Sequence, residues 1–135
     1  MVHEVDKRIK DKFKRHNAFL SCTISIDKFY KLKTVHNNLP FPWKDPSAIK
    51  RWRAEKYIPP VEVWWNPVKG RDVRHDGRHR CSVLKERGYT RVRCNVYFTR
   101  HSRPVPISEI DSQSMNKFIK TLDARDIYIF RGKKN

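Results

Sequence analysis

The chain has only three cysteines in 135 residues, and no two of them stand in a Cys-x-x-Cys spacing. Cys22, Cys81 and Cys94 each lie among apolar neighbours in segments that we predict to be strand or helix. An odd number of scattered cysteines does not make a disulfide framework. We therefore expect three buried, reduced thiols in a cytoplasmic protein, and a disulfide or a catalytic thiol is the alternative.

The sequence also lacks an apolar stretch long enough to span a bilayer, and its start carries no signal-peptide pattern. It contains no Walker A loop, no His-Glu-x-x-His motif and no spacing that supports a Ser-His-Asp triad. These absences predict a protein without a membrane partner, and they leave no standard catalytic motif.

Acidic residues are scarce, since 14 Asp and Glu stand against 31 Lys and Arg, which gives a formal net charge of +17. Charge of this size indicates the kind of partner and not the fold. The expected partners, in order, are nucleic acid, an anionic membrane and acidic proteins. It is unlike the surface of an ordinary metabolic enzyme. The length predicts a single domain over 1–135, and 4 Trp, 5 Tyr and 7 Phe can help to fill a modest core.

The first 57 residues form a basic part made of helix and loop. Residues 4–16 predict a charged helix with a narrow apolar stripe of Val5, Ile9 and Phe13. That helix either docks on the surface by its stripe or lies as a basic arm against a phosphate backbone. Further elements predicted here are a strand over 21–26, a helical turn over 28–32 capped by Asp27, a proline-rich loop over 36–46, and a helix from Pro46 to about Lys56 capped by Asp45.

The rest of the chain alternates short strands with helices. In the strand predicted over 61–65, the two adjacent tryptophans must face opposite sides of the sheet. If Trp65 faces the core, Trp64 faces another layer or solvent. We predict an α+β fold with a small mixed sheet and packed helices. A core over 58–98 is predicted to contain strands over 61–65, 71–74 and 91–98 and a helix over 81–87. A C-terminal part over 99–135 is predicted to contain a helix over 108–122 and a strand over 126–130.

Positive charge is concentrated between residues 69 and 103, where eleven Lys or Arg stand against three acids, a net charge of +8. Nine of the eleven are arginine, whose planar fork matches phosphate and guanine edges. Any single arginine here can also be ordinary solvated charge. The residues that we predict to bind nucleic acid are Lys69, Arg71, Arg74, Arg91, Arg93 and Arg100.

The turn at Asp76-Gly77 leads into a predicted helix, and helix starts favour anions because their N–H groups are unpaired. Asp76 is predicted to cap this helix, with a metal ligand or a general base as the alternatives. His75 and His79 could share a divalent metal with Asp76, but only His79 should lie in the helix, so helical ligand spacing fails and we predict no metal site.

The strand at Val61-Glu62-Val63, the run Asp76-Gly77-Arg78-His79-Arg80, the helix closed by Gly88 and the strand over 91–98 together resemble the core motif of the ParB/sulfiredoxin superfamily. The resemblance covers about residues 58–98 and implies a ParB/sulfiredoxin-like fold. In that superfamily the loop and helix start bind nucleotide phosphates, which implies that Gly77 allows close phosphate approach and that Arg78, His79 and Arg80 contact phosphate.

This sequence departs from the superfamily pattern at two points. Sulfiredoxin has its catalytic cysteine immediately before the His-Arg pair, where this chain has Arg78, so peroxiredoxin repair is not expected. The partitioning proteins carry a helix-turn-helix domain after the motif, and about 37 residues are too few for one.

Three functions follow as hypotheses. The first is a nucleic-acid-binding protein that holds phosphates at the arginine-rich loop, with DNA expected rather than RNA. The second is a nuclease or nucleotide-dependent enzyme at the same loop, with Asp76 and His79 catalytic and Mg²⁺ or a nucleoside triphosphate as cofactor. The third is an interaction protein that blocks an acidic partner, and the resemblance associates such small basic relatives with viruses or plasmids.

Overall fold

Two stretches of the computed structural model of this chain are described, residues 18–32 and 45–131. The helix predicted over 4–16 and most of the predicted loop over 36–46 lie outside them. No helix within the two stretches is both long enough and apolar enough to cross a membrane.

The described residues form a mixed α+β structure, which confirms the predicted class. It contains a six-stranded sheet and four α-helices, with a 3₁₀ turn over Ile107–Glu109. The strands are β1 (Ala18–Ser25), β2 (Val61–Asn66), β3 (Arg71–Asp76), β4 (Arg91–Arg100), β5 (Arg103–Pro104) and β6 (Arg125–Arg131). The helices are α1 (Ile26–Tyr30), α2 (Pro46–Arg53), α3 (Arg78–Glu86) and α4 (Ser112–Leu122).

The strand order in the sheet is β3-β2-β4-β1-β6, and β5 pairs with the end of β4. A tight turn joins β2 to β3, whereas α3 carries the chain from β3 across to β4, which therefore runs parallel to β2. All the other pairs are antiparallel. Because β2 and β4 are parallel, the residues that follow both strands emerge at the same end of the sheet.

The main core lies between one face of the sheet and the helices. From β2 it takes Trp65, whose ring meets Phe118 of α4 edge-on at 5.3 Å between centroids. Burying a side chain of this kind contributes on the order of 1.5–3 kcal/mol. Trp64 turns to the opposite face and stacks on Tyr97 at 5.4 Å, so the predicted division of the two tryptophans is confirmed.

The three cysteines are free and buried, as predicted. Cys22 lies opposite Cys94 on the paired strands β1 and β4, and Cys81 lies in α3. Burial raises the pKa of the Cys81 thiol to about 12, so this thiol is un-ionised at neutral pH. An un-ionised, buried thiol is a poor nucleophile, and the structure therefore favours the packing role for Cys81.

Three of the four described helices begin after a residue whose side chain caps them. Asp45 caps α2 as predicted, with its carboxylate accepting from two backbone N–H groups. Asp27 was the wrong cap for α1, since Ser25 accepts the bond instead. The last helix begins at Ser112 and not at residue 108, because Asp111 caps it and a 3₁₀ turn precedes it.

Candidate nucleic-acid interface

The turn into α3 is built around Gly77, which has a φ of +128°. A Cβ atom at this position would lie 2.6 Å from Cβ of Val61, too close for any real contact. Only glycine therefore lets the chain turn against the start of β2. Gly77 is also the residue that precedes α3, and it offers no side-chain cap. The prediction that Asp76 caps this helix was wrong, because β3 continues through Asp76.

Arg78 points into the protein and is 7% exposed. Its Nε donates to Nε2 of His75 at 3.1 Å, and Nη2 donates to the carbonyl oxygen of Tyr30 at 3.4 Å. Since arginine can only donate, Nε2 of His75 must be the acceptor, and its Nδ1 carries the proton that is donated to Asp72 at 3.1 Å. Asp72, His75 and Arg78 therefore form one hydrogen-bonded chain.

Arg80 is also buried, at 3% exposure. Its Nη1 donates to the carbonyl oxygen of Pro60 at 2.6 Å, and its Nη2 lies 3.6 Å from the carboxylate of Asp76. The guanidinium carbon lies 5.5 Å from the centre of the Trp52 ring. These contacts join α3 to α2 and to the segment that leads into β2. A phosphate could reach the guanidinium groups of Arg78 and Arg80 only by displacing these internal partners.

The predicted catalytic pair, Asp76 and His79, lies at the start of α3. Both residues are half-buried. Burial lowers the pKa of His79, with the carboxylate of Asp45 opposing that shift and the guanidinium of Arg51 adding to it. Among the described residues, no three His, Cys, Asp or Glu side chains are grouped so that they could hold a metal ion. The catalytic roles of this pair stay predictions.

Arg91 has a structural position. Its Nη1 lies 3.0 Å from the Asp123 carboxylate, and Nη2 donates to the backbone oxygens of Thr23 and Asp123 at 2.8 and 2.5 Å. These bonds tie β1 and β4 to the turn between α4 and β6. An arginine with this many internal partners contributes little to an external surface.

Arg74 and Arg93 are exposed on the sheet face that carries Trp64. The Arg74 guanidinium lies 4.9 Å from the centre of the Trp64 ring. Arg93 donates to the hydroxyl groups of Ser21 and Tyr128 at 3.1 and 3.0 Å. Both side chains are held by these contacts while their charge stays open to solvent.

Lys69, Arg71 and Arg100 lie at the end of the sheet where β2 and β4 finish. Trp65 is in register with Phe98, so the turn after β2 lies beside the end of β4. Arg103 joins them because β5 folds back on β4 and pairs Arg103 with Arg100. Lys117 of α4 reaches the same turn, since its Nζ would lie 2.6 Å from a Cβ atom at Gly70. We name this cluster the basic end: Lys69, Arg71, Arg100, Arg103 and Lys117.

All five side chains of the basic end are exposed. None of them forms an ion pair with any residue in the described stretches, whereas Arg53, Arg91 and Arg125 each pair with a carboxylate. The cluster therefore presents uncompensated positive charge. The predicted phosphate-binding residues Gly77, Arg78, His79 and Arg80 lie at the opposite end, where β2 begins.

Arg103 and Lys117 were not among the residues predicted to bind nucleic acid. Arg103 ends the basic stretch 69–103 and Lys117 lies outside it, and nothing in the sequence shows that either lies near Lys69 and Arg71. The two-residue strand β5 and the direction in which α4 packs bring them there, and both depend on the tertiary fold.

A comparison with protein-family models finds no matching family, and searches of curated proteins and of solved structures find no significant match. The resemblance to the ParB/sulfiredoxin superfamily over 58–98 accordingly stays a prediction.

Proposed function

We propose that this chain binds nucleic acid through the basic end, mainly by contacts to backbone phosphates. The observation that carries the proposal is the meeting of five exposed, uncompensated cations from four segments of the chain. Release of counterions from a polyanion supplies affinity to such a surface without any base contact. The net charge of +17 adds long-range attraction.

Duplex DNA is the proposed ligand, with weak sequence preference. Phosphate contacts position a protein on DNA but do not read its bases. Arg71 and Arg100 offer planar forks to phosphate oxygens, and Lys69 and Lys117 add point charges. A cytoplasmic location, as predicted from the sequence, agrees with a DNA ligand and with three unpaired cysteines.

The test is fluorescence anisotropy of a labelled DNA duplex over a range of salt concentrations. For wild-type protein, log Kd should rise linearly with log salt concentration. Arg71→Ala and Arg100→Ala should each weaken binding and reduce the slope by about 0.9, the value expected for the loss of one phosphate contact on duplex DNA. The matched control is Arg53→Ala, which removes the same charge from an exposed arginine that is paired with Glu86.

Equal slopes for Arg71→Ala, Arg100→Ala and Arg53→Ala would contradict the proposal, because the binding would then depend on net charge alone. The same samples, incubated with Mg²⁺ and run on a gel, test the enzyme alternative. Cleavage that is lost in Asp76→Asn would assign nuclease activity to the start of α3. Absence of DNA binding at low salt would leave the acidic-protein alternative.

A further inference from the structure

The strand β6 lies at an edge of the sheet. Among the strands that the structure describes, it pairs only with β1, so one side of its backbone faces away from the sheet. Its centre is apolar and exposed: Ile127 is 38%, Tyr128 50% and Ile129 43% exposed. Edge strands of this kind are templates on which a further strand can pair.

The opposite edge, β3, is protected in a way that β6 is not. Its one exposed hydrophobic residue, Val73, stands between the exposed Arg71 and Arg74. Charged side chains on an edge discourage pairing with another strand. In β6 an irregularity at Asp126, which has a φ of +51°, interrupts the pairing with β1 near its start. After that point the strand continues as four residues without charge, 127–130.

Electrostatics decides between a second copy of this chain and a different partner. Two molecules of net charge +17 repel each other over a distance of about one Debye length, near 8–10 Å, whereas an acidic partner is attracted.

An acidic strand has the opposite relation to this edge. Arg93 stands exposed beside Tyr128 and donates to its hydroxyl at 3.0 Å. The Arg125 side chain at the start of β6 pairs with Asp123 at 2.9 Å and is still 63% exposed. Acidic side chains on an added strand could meet these guanidinium groups on one face. Apolar side chains on its other face could cover Ile127 and Ile129, which lie on the side of the main core.

We propose that β6 is a docking edge for an extended segment of a partner protein in which acidic and apolar residues alternate, and that this segment joins the sheet as a further strand. Main-chain hydrogen bonds supply the affinity in this mode of binding, and the alternating side chains supply the selectivity. The inference does not depend on DNA binding, because the basic end and β6 involve different residues.

The probe for the test is a fluorescein-labelled peptide of alternating glutamate and valine, titrated with the full chain and followed by anisotropy. Wild-type protein should bind it, and Ile129→Glu should weaken binding by about tenfold or more, because it sets a carboxylate against the valines of the added strand on the face that the proposal makes apolar. The matched control is Val73→Glu, an equal change at the other edge strand, which should leave the affinity within about twofold of wild type. Circular dichroism of both variants checks that they fold.

Two further measurements separate strand addition from simple charge attraction. The same peptide with alternate backbone nitrogens methylated keeps its charge but cannot form the ladder, so it should not bind. Amide hydrogen exchange within 127–129 should slow when the unmodified peptide is present. Arg71→Ala should bind the peptide as wild type does, since it alters only the basic end.

The proposal is overturned if wild-type protein does not bind the peptide, or if the methylated peptide binds equally well. Loss of binding in Arg71→Ala would also overturn it, since it would assign the peptide to the basic end. A concentration-dependent dimer in sedimentation that Ile129→Glu abolishes, without peptide binding, would assign the edge to a second copy of the chain.

Discussion

Two arginines that the resemblance implied as phosphate ligands, Arg78 and Arg80, are buried and hold parts of the protein together. A buried guanidinium must be hydrogen-bonded, because its desolvation is not otherwise offset. Arg78 meets that need through His75 and the backbone of Tyr30, and Arg80 through the backbone of Pro60. Burial lowers the pKa of Arg78, but the group stays charged at any physiological pH.

Arg78→Ala should therefore act on stability, while Arg71→Ala should act on DNA binding. Loss of the Arg78 guanidinium removes its hydrogen bonds to Nε2 of His75 and to the Tyr30 carbonyl and opens space beside the Tyr30 ring, at a cost of about 2–4 kcal/mol in the free energy of unfolding. Urea denaturation should show that loss for Arg78→Ala and a change within about 0.5 kcal/mol for the exposed Arg71→Ala.

The DNA titration of the two variants completes this comparison. Folded Arg78→Ala should keep the wild-type salt slope, and Arg71→Ala should not. If Arg78→Ala is as stable as wild type but binds DNA more weakly, phosphate contacts at the start of α3 are restored as the better explanation.

Among the secondary-structure elements, the turn between β2 and β3 matters most for the candidate site. Asn66 ends β2, and its side-chain oxygen accepts from the backbone N–H groups of Val68 and Lys69 at 2.9 and 3.0 Å. This local hydrogen bonding sets the backbone of the turn. This turn places Lys69 and Arg71 beside the end of β4.

Asn66→Ala should lower the free energy of unfolding by about 1–2 kcal/mol, because two backbone N–H groups lose their acceptor. Asn66→Asp keeps an acceptor in the same place and should recover most of that stability. It also adds a negative charge beside the basic end, so it should bind DNA more weakly than Asn66→Ala does. Urea denaturation and DNA anisotropy measure the two effects separately. Stronger DNA binding by the aspartate variant would show that Asn66 lies away from the interface.

Elements with local signals could be predicted from the sequence. The alternation in β4, the opposed Trp64 and Trp65, and the start of α2 at Pro46 after Asp45 all depend on residues within a few positions of each other. The interactions that determine these features lie within the local segment, so the structure agrees with the prediction. The mixed α+β class follows from the same local patterns.

The candidate site could be predicted only in part, because burial and convergence are properties of the tertiary fold. Arg78 and Arg71 have the same chemistry in the sequence, yet one is 7% exposed and the other is on the surface. Gly77, and not Asp76, immediately precedes α3, because β3 extends to Asp76, two residues beyond the end of the predicted strand. Lys117 joins the basic end through the packing of α4, which no short window of sequence contains.

At the scale of the whole molecule, the cations of the basic end repel one another. Five cations lie together without a described ion pair, in a chain whose net charge is +17. Such repulsion destabilises the folded state more than the unfolded chain, where the charges are farther apart. A surface of this kind is a stability cost that proteins retain at binding sites.

Salt should therefore stabilise this protein. Between 0.05 and 0.5 M NaCl the Debye length falls from above 10 Å to below 8 Å, which screens repulsion among exposed cations. The melting temperature of the wild type should rise over that range, by about 2–6 °C if screening is worth about 1 kcal/mol.

A double variant, Arg71→Ala with Arg100→Ala, should start at a higher melting temperature in low salt and rise less, because part of the repulsion is already removed. The matched double variant Arg53→Ala with Arg125→Ala removes two cations that are paired with Glu86 and Asp123, and it should gain nothing in low salt. Equal salt responses in the two double variants would show that repulsion is spread over the whole surface and is not concentrated at the basic end.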